Sequence, residues 1–168
     1  MPLLEVTQTR HVSASIRLTD STALLKPLLA GEGAMTKRKP SKAERDAIDY
    51  GRRVAHALAG FDVGQSVAIA ERACVAVEAM EGTDAMLRRA AGLANGRSLV
   101  LVKVSTRRKR LLFDVPVAGP QTIAVMRETG ATALAVDAGR TLLLDRSEML
   151  SSADKYGISV MGYPPQGS

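Results

Sequence analysis

The sequence predicts an α/β fold: a mixed β-sheet layered with helices, in a single domain. Short apolar runs that could form buried strands alternate with segments whose apolar residues recur at helical spacing. This alternation is typical of layered α/β domains. The turns near residues 71 and 139 are too short for a crossover connection, so both predict hairpins and hence some antiparallel pairing.

The first forty residues give weaker signals than the rest. Residues 12–18 alternate apolar and polar side chains and favour a half-buried strand. Residues 21–30 favour a short helix, which Pro27 would restrict or break. Residues 31–40 are rich in glycine and basic side chains and predict a loop.

A clear helix is predicted after this loop. Ser41 and Glu44 form a capping box, in which each side chain accepts a hydrogen bond from a main-chain N–H at the start of the helix. Apolar and small residues then recur on one face, and Gly60 ends the helix. The residues on that face are Ala47, Gly51, Val54, Ala55 and Leu58. Gly51 would let a neighbouring element approach closely.

The remainder alternates strand and helix signals. The predicted elements are strands at 66–70 and 73–77, a helix at 84–94, a strand at 98–104, a helix at 120–129, strands at 134–136 and 141–144, a helix closed by Gly157, and a strand at 158–161. Pro120 is suited to the first position of its helix and Gly130 to the position beyond its end. Asp145 and Glu148 predict a second capping box.

Composition bounds the class of protein. The 168 residues are 46% hydrophobic and 24% charged, which is ordinary for a globular domain. The single cysteine, Cys74, excludes an intramolecular disulfide, suits a reducing compartment and lies in an apolar run typical of the core. No apolar run reaches the length of a signal peptide or a membrane span. We therefore expect a cytoplasmic protein.

The formal net charge is +6, and basic residues cluster at 37–39, 88–89 and 107–110. Such clusters attract phosphate groups of nucleotides, anionic lipids or nucleic acid, although they also occur in solvated loops. The chain has only three Tyr and two Phe and lacks Trp. We therefore expect no specific nucleic-acid binding of the kind that stacks bases on aromatic rings.

Several familiar active-site patterns are missing. The sequence contains no GxxxxGK[ST] phosphate loop. Its two histidines, His11 and His56, lie in a weakly patterned segment and within a helix, which argues against a Ser-His-Asp triad or a zinc site. A site is therefore expected to consist of carboxylates, basic side chains and main-chain amides.

The segment 77–84 is one candidate for such a site. It lies at a strand-to-helix junction, where free N–H groups and the helix dipole suit a phosphate. Glu81 and Asp84 could hold a hard cation such as Mg²⁺. A structural explanation is equally open, because Thr83 is a natural N-cap and Asp84 suits the first turn of a helix.

The segment 111–116 is the other candidate. Asp114 lies between apolar residues and directly after the basic run 107–110. Burial of a carboxylate there requires a cation or hydrogen bonds. A turn before Pro116 is the alternative explanation.

Taken in order, the motifs of this chain resemble the carboxy-terminal domain of the LpxI-type UDP-2,3-diacylglucosamine pyrophosphatases. The motifs are FDVGQS at 61–66, VEAMEGTDAM at 77–86, VKV at 102–104, FDVP at 113–116, Gly119-Pro120 with Thr122, and VDAGRTLLLDR at 136–146. The resemblance covers residues 22–163, which leaves 1–21 as an unmatched amino-terminal segment and 164–168 as a flexible tail.

The resemblance implies a reaction and a set of site residues. The family hydrolyses UDP-2,3-diacylglucosamine to UMP and 2,3-diacylglucosamine 1-phosphate with Mg²⁺, in lipid A biosynthesis. It implies that Asp114 serves the metal or the attacking water. The further residues carried over are Asp84 as metal ligand and catalytic residue, Lys103 as catalytic residue, and Gln65, Glu81, Gly82, Thr83, Gly119 and Arg140 in substrate binding.

Two departures from the family pattern keep an alternative open. Family members normally carry an additional amino-terminal domain, and here we expect the carboxy-terminal domain alone. In addition, Arg110 replaces a usual acidic residue and Leu112 a usual basic one, which should weaken cation binding. The alternative is a non-catalytic remnant that binds an anionic ligand or a partner protein. For either function we expect a homo-oligomer and, with an acylated UDP-sugar as ligand, contact with the inner membrane surface.

Overall fold

The computed structural model describes residues 26–106 and 115–165. The strands are β1 (Gly33–Ala34), β2 (Ser66–Ala70), β3 (Ala73–Val77), β4 (Leu99–Lys103), β5 (Val117–Ala118), β6 (Ala131–Asp137), β7 (Leu142–Leu143) and β8 (Ser159–Tyr163). The helices are α1 (Lys42–Gly60), α2 (Thr83–Ala94), α3 (Pro120–Thr129) and α4 (Arg146–Lys155), with a 3₁₀ turn at Lys26–Leu28. None of the helices in these ranges is long and apolar enough to span a membrane.

The predicted mixed α/β sheet is confirmed. Among the described residues, six strands form one sheet in the order β1-β8-β6-β4-β2-β3. The central strands β4, β6 and β8 run parallel, and β1, β2 and β3 pair antiparallel with their neighbours. The carboxyl ends of the three parallel strands therefore lie at one edge, together with the start of β2 and the end of β3. We call this the carboxyl edge.

Helices cover both faces of the sheet. Helix α1 packs on one face, against alternate residues of β2, β4 and β6 such as Ile69 and Val102. Helices α2, α3 and α4 pack on the other, around residues such as Leu101 and Leu134. Because both faces are covered, β2 and β4 are buried along their whole length.

Helix α1 begins with the predicted capping box: Glu44 N–H donates to Ser41 Oγ (3.2 Å), and Ser41 N–H donates to Glu44 Oε2 (2.7 Å). Gly51 lies on its buried face, as predicted. A Cβ at Gly51 would lie 2.8 Å from both Ile69 Cγ1 and Val102 Cγ2, so the helix approaches the sheet more closely than an alanine would permit.

We therefore expect Gly51→Val to lower the free energy of unfolding by at least about 1–3 kcal/mol, because it overpacks the contact between α1 and the sheet. Denaturant titration measures this change. Gly92→Ala is the matched control, since a Cβ at this helical glycine meets nothing within 4 Å. The control should gain about 0.5–1 kcal/mol from helix propensity. Equal stability of wild type and Gly51→Val would contradict the close contact.

Four local predictions are wrong. The described part of the predicted 21–30 helix is only a 3₁₀ turn, consistent with the restriction at Pro27. The predicted 31–40 loop contains β1, which forms by pairing with β8. No hairpin forms near 139, because β7 leaves the sheet and pairs in parallel with β5. Asp145 makes no side-chain cap, because it adopts a left-handed conformation (φ 43°).

The edge of the sheet opposite the carboxyl edge carries an ion pair between Arg38 and Glu44, which further hydrogen bonds hold in place. Arg38 donates to both Glu44 carboxylate oxygens at 2.8 Å. Thr132 Oγ1 donates to Glu44 Oε1 at 2.7 Å. Burial opposes ionisation of Glu44, but hydrogen bonds from Arg38, Thr132 and Ser41 lower its pKa to about 2. This cluster ties the start of α1 to β6, far from the carboxyl edge.

Candidate functional site

A pocket of about 470 Å³ opens at the carboxyl edge of the sheet. Ligands of open α/β sheets bind at this edge, because loops there diverge from the strand ends. The pocket is built from the loop before β2, the residues after β3, the end of β4 and the segment leading into β5. Its lining residues are Asp62, Val63, Gly64, Gln65, Glu78, Ala79, Lys103, Thr106, Val115, Pro116 and Val117. We refer to it as the carboxyl-edge pocket.

Lys103 is the principal cation of this pocket. Its side chain lies at the last position of β4 and is only 7% exposed. Nζ donates to Thr83 Oγ1 at 2.6 Å, and Thr83 Oγ1 donates to Glu78 Oε1 at 3.0 Å. Burial lowers the pKa of Lys103, while the negative charges of Glu78 and Asp84 act in the opposite direction. The three side chains form a relay from a buried ammonium through a hydroxyl to a carboxylate.

Thr83 reaches Lys103 because it does not cap its helix. The N-cap of α2 is Gly82, which has a positive φ of 83° and provides no side-chain cap, and Thr83 is the first helical residue. The structural explanation of Thr83 as an N-cap is therefore wrong. Its hydroxyl is instead available to link the start of α2 to the end of β4.

The other acidic residues predicted in this segment lie beside the pocket and do not line it. Glu81 accepts a hydrogen bond from the main-chain N–H of Ala79 (3.1 Å) and pairs with Arg89, which lowers its pKa. Asp84 Oδ2 accepts from Gln121 Nε2 at 3.4 Å, which links α2 to α3. The Glu81–Arg89 pair ties the loop between β3 and α2 to that helix, and the Asp84–Gln121 contact ties α2 to α3.

The remaining predicted residues are distributed around the edge. Gln65 lines the pocket, and its carbonyl accepts from Val104 N–H at 2.9 Å. Gly119 precedes α3 and lines a separate depression next to Val117. Arg140 lies in the turn after β6 and lines neither cavity. Asp114 lies outside the described residues, between Thr106 and Val115, which both line the pocket.

Glu78 is a pocket residue that the sequence did not single out. It follows β3, and its N–H donates to the carbonyl of Ser66 at 2.9 Å. Gly64 passes so close to it that a Cβ at Gly64 would lie 1.8 Å from the Glu78 carbonyl oxygen. Two walls of the pocket are therefore in direct main-chain contact. The one trace of this contact in the sequence is Gly64 of the FDVGQS motif, a position at which the structure leaves no room for a side chain.

A buried charged cluster, also missed by the sequence analysis, lies next to the pocket on the α1 side of the sheet. Asp137 ends β6 and is 0% exposed. Arg52 Nη1 donates to Asp137 Oδ1 at 3.0 Å, and the N–H and Oγ of Ser105 donate to Oδ2 at 2.9 and 3.1 Å. His56 Nε2 lies 3.6 Å from Oδ1 and has no hydrogen-bond partner. We call these four residues the Asp137 cluster.

The charge state of the cluster follows from its contacts. Burial alone would raise the pKa of Asp137, but His56, the Ser105 amide and Arg52 together hold it below the ordinary value. Ser105 Oγ donates to Asp137 and not to His56. A nucleophile would need a base in that position, so the cluster is not a hydrolytic triad.

The described residues do not by themselves provide a set of metal ligands. Within 26–106 and 115–165, no three His, Cys, Asp or Glu side chains converge as a metal site would require. Asp84 is directed to Gln121, and Asp114 is not described.

A mixed sheet with helices on both faces and a pocket at its carboxyl edge defines a layered α/β domain with a candidate ligand site at that edge. Within this class, residues 31–161 match the model of the LpxI C-terminal domain. The chain belongs to the LpxI family, as the motif resemblance predicts.

A relative named for this reaction supports the same assignment. The UDP-2,3-diacylglucosamine pyrophosphatase LpxI of Caulobacter vibrioides is 36% identical over 141 residues, which cover 80% of this chain. The match covers only 50% of that relative. The chain therefore corresponds to half the length of a protein named for this reaction.

Proposed function

We propose that this protein contributes to hydrolysis of the pyrophosphate bond of an acylated UDP-sugar, UDP-2,3-diacylglucosamine, with UMP and 2,3-diacylglucosamine 1-phosphate as products. Membership of the LpxI family supports this proposal, since the relative is named for it. The single structural observation that carries it is Lys103, a buried cation in the carboxyl-edge pocket.

Lys103 is suited to a pyrophosphate because its ammonium is held in a partly desolvated place. There a charge interacts more strongly with an anion than it does in water. Thr83 keeps Nζ in position, and Glu78 orients the Thr83 hydroxyl. When the pyrophosphate bond breaks, negative charge accumulates on the leaving phosphate, and a fixed cation stabilises that charge without reorganising.

The rim of the pocket suits the acylated part of such a substrate. Val63 and Val117 line the pocket while remaining 42% and 40% exposed, and Phe61 and Met80 in the adjoining loops are 79% and 101% exposed. Exposed apolar side chains grouped beside a polar pocket commonly mark a binding surface. A ligand with a charged head and acyl chains would bury this rim, and the same rim would bring the protein to a membrane surface.

Asp114 and Mg²⁺ complete the proposal on the strength of the resemblance. Thr106 and Val115, on either side of the segment that carries Asp114, both line the pocket. Mg²⁺ bound with carboxylate oxygens would supply positive charge at the phosphates. The residues described here contribute anion binding and orientation.

Release of UMP from UDP-2,3-diacylglucosamine with Mg²⁺ tests the function directly. We expect turnover by the wild type, loss of at least about 100-fold in Asp114→Asn, and loss of activity with EDTA that Mg²⁺ restores. Asp46→Asn is the matched control, because Asp46 lies on α1 in a surface ion pair with Lys42 and does not line the pocket.

The outcomes separate the proposal from its alternative. Turnover that Asp114→Asn abolishes and Asp46→Asn retains supports catalysis. A folded wild type that binds UDP but releases no UMP would replace catalysis with the non-catalytic ligand-binding function, which the changes at Arg110 and Leu112 favour.

A further inference from the structure

The Asp137 cluster is built at a point where a strand ends. Strand β4 ends at Lys103, and Val104 N–H still donates to the Gln65 carbonyl at 2.9 Å. The next residue, Ser105, is only 7% exposed and has no strand partner for its N–H. A buried N–H without an acceptor is strongly unfavourable. Asp137 Oδ2 supplies that acceptor and also accepts from the Ser105 hydroxyl.

The other carboxylate oxygen ties the same point to α1 and to the end of β8. Arg52 Nη1 donates to Asp137 Oδ1 (3.0 Å), and Nη2 donates to the Pro164 carbonyl (2.7 Å). The Arg52 guanidinium also lies 4.9 Å from the centre of the Tyr163 ring. Arg52 is 6% exposed, so the whole arrangement is buried and held from several sides.

Stability alone does not account for this arrangement. A buried ion pair commonly contributes no more than apolar residues of the same size, because both charges lose their hydration. Such pairs can instead specify one arrangement of the chain. Here the specified residue, Ser105, lies two positions after Lys103 and one before Thr106, and both of those line the carboxyl-edge pocket.

We propose that Asp137 is a positioning residue: through Ser105 it holds the end of β4 where Lys103 and Thr106 face the carboxyl-edge pocket. The expected effect of Asp137 on catalysis rests on the proposed function, whereas its effect on the position of Lys103 does not. Asp137 itself does not line the pocket. Displacement of a binding group by about 1 Å can lower turnover by about 100-fold.

Three variants test the proposal. Asp137→Asn keeps the shape of the side chain but replaces one carboxylate oxygen with an NH₂ group. Arg52 and Ser105 then can no longer both donate hydrogen bonds to it. Ser105→Ala removes only the hydroxyl contact and keeps the N–H. Glu44→Gln is the matched control, since Glu44 is a largely buried carboxylate that also pairs with an arginine and a main-chain N–H, at the opposite edge.

Two readouts are needed, at a temperature where all samples are folded. The first is the NMR signal of the Lys103 Nζ and Cε atoms, which reports the position of the ammonium without any substrate. The second is kcat and KM for UMP release. We expect Asp137→Asn to shift the Lys103 signals and to lower kcat at least about tenfold, with a smaller change in KM, because the interaction of Lys103 strengthens as charge develops. Ser105→Ala should shift the signals less, and Glu44→Gln should leave both readouts unchanged.

Unchanged Lys103 signals and kcat in Asp137→Asn would overturn the proposal and leave a structural ion pair. If Asp137→Asn does not fold, Ser105→Ala decides, and unchanged Lys103 signals in that variant overturn it. Failure of the proposed function has a different signature, because the wild type would then release no UMP while the Lys103 signals would still report the role of Asp137.

Discussion

Lys103→Met is expected to lower UMP release by at least about 100-fold without destabilising the protein, since removal of one preorganised group at a developing charge commonly has an effect of this size. Methionine keeps an unbranched apolar stem of similar length and removes the three N–H donors. Thr83 Oγ1 can continue to donate to Glu78 Oε1, so the neighbouring relay keeps one of its two bonds. Thermal unfolding and steady-state kinetics measure the two effects separately.

Stability should be unchanged or higher in this variant, because a buried ammonium gives way to an apolar group. Burial lowers the Lys103 pKa although the negative charges of Glu78 and Asp84 act in the opposite direction, so its surroundings disfavour its charged form. Loss of activity together with retained stability identifies Lys103 as a functional group. Lys42→Met is the control, because the Lys42 side chain is 81% exposed in a surface pair with Asp46. Turnover of Lys103→Met within threefold of the wild type would remove Lys103 from the mechanism.

Helix α3 shows which part of the fold the sequence predicts well. Pro120 at its first position and Gly130 beyond its end, with a φ of 74°, are local signals that need no tertiary context, and the observed helix matches the predicted bounds. The capping box of Ser41 and Glu44 is equally local and is confirmed. By contrast, Asp145 and Glu148 have the right spacing, but Asp145 adopts a left-handed conformation that does not cap, directly after Leu144, whose N–H donates to the distant Ala118 carbonyl. Local patterns fail where distant contacts decide the backbone.

For that reason the sequence could not predict strand β1 or the pairing of β7. The two residues of β1 form a strand only because β8 is beside them, and β7 pairs with β5 although a turn connects it to β6. Neither pairing leaves a periodic signal in two residues.

The candidate site likewise has one part that the sequence predicts and one part that it does not. Lys103 and Gln65 were assigned through the motif resemblance, and both line the pocket. The Asp137 cluster was missed because its four members are separated by up to 85 positions in the chain. Its one signal was the placement of Arg52 and His56 four residues apart, next to the apolar stripe of α1. A basic side chain buried there needs a carboxylate partner, but the sequence alone does not say which one.

Gly64→Ala is expected to lower both the stability of the protein and its affinity for a ligand in the carboxyl-edge pocket. The new Cβ would lie 1.8 Å from the Glu78 carbonyl oxygen, well inside van der Waals contact, and that oxygen belongs to main chain that cannot rotate away. The loop before β2 and the residues after β3 must therefore separate. These segments are two walls of the carboxyl-edge pocket, so the separation also moves Gln65 and Glu78.

A forced main-chain shift of this kind commonly costs about 1–3 kcal/mol or more, which chemical denaturation detects. Isothermal titration with UDP measures the effect on the pocket, and we expect affinity to fall at least about tenfold because the walls no longer meet. Gly60→Ala is the matched control: it is the last residue of α1, four positions away, and a Cβ there meets nothing within 4 Å. This control should keep wild-type affinity and gain a fraction of a kcal/mol in stability. Wild-type stability and affinity in Gly64→Ala would show that the two walls are free to separate, and the pocket would then not be a preformed site.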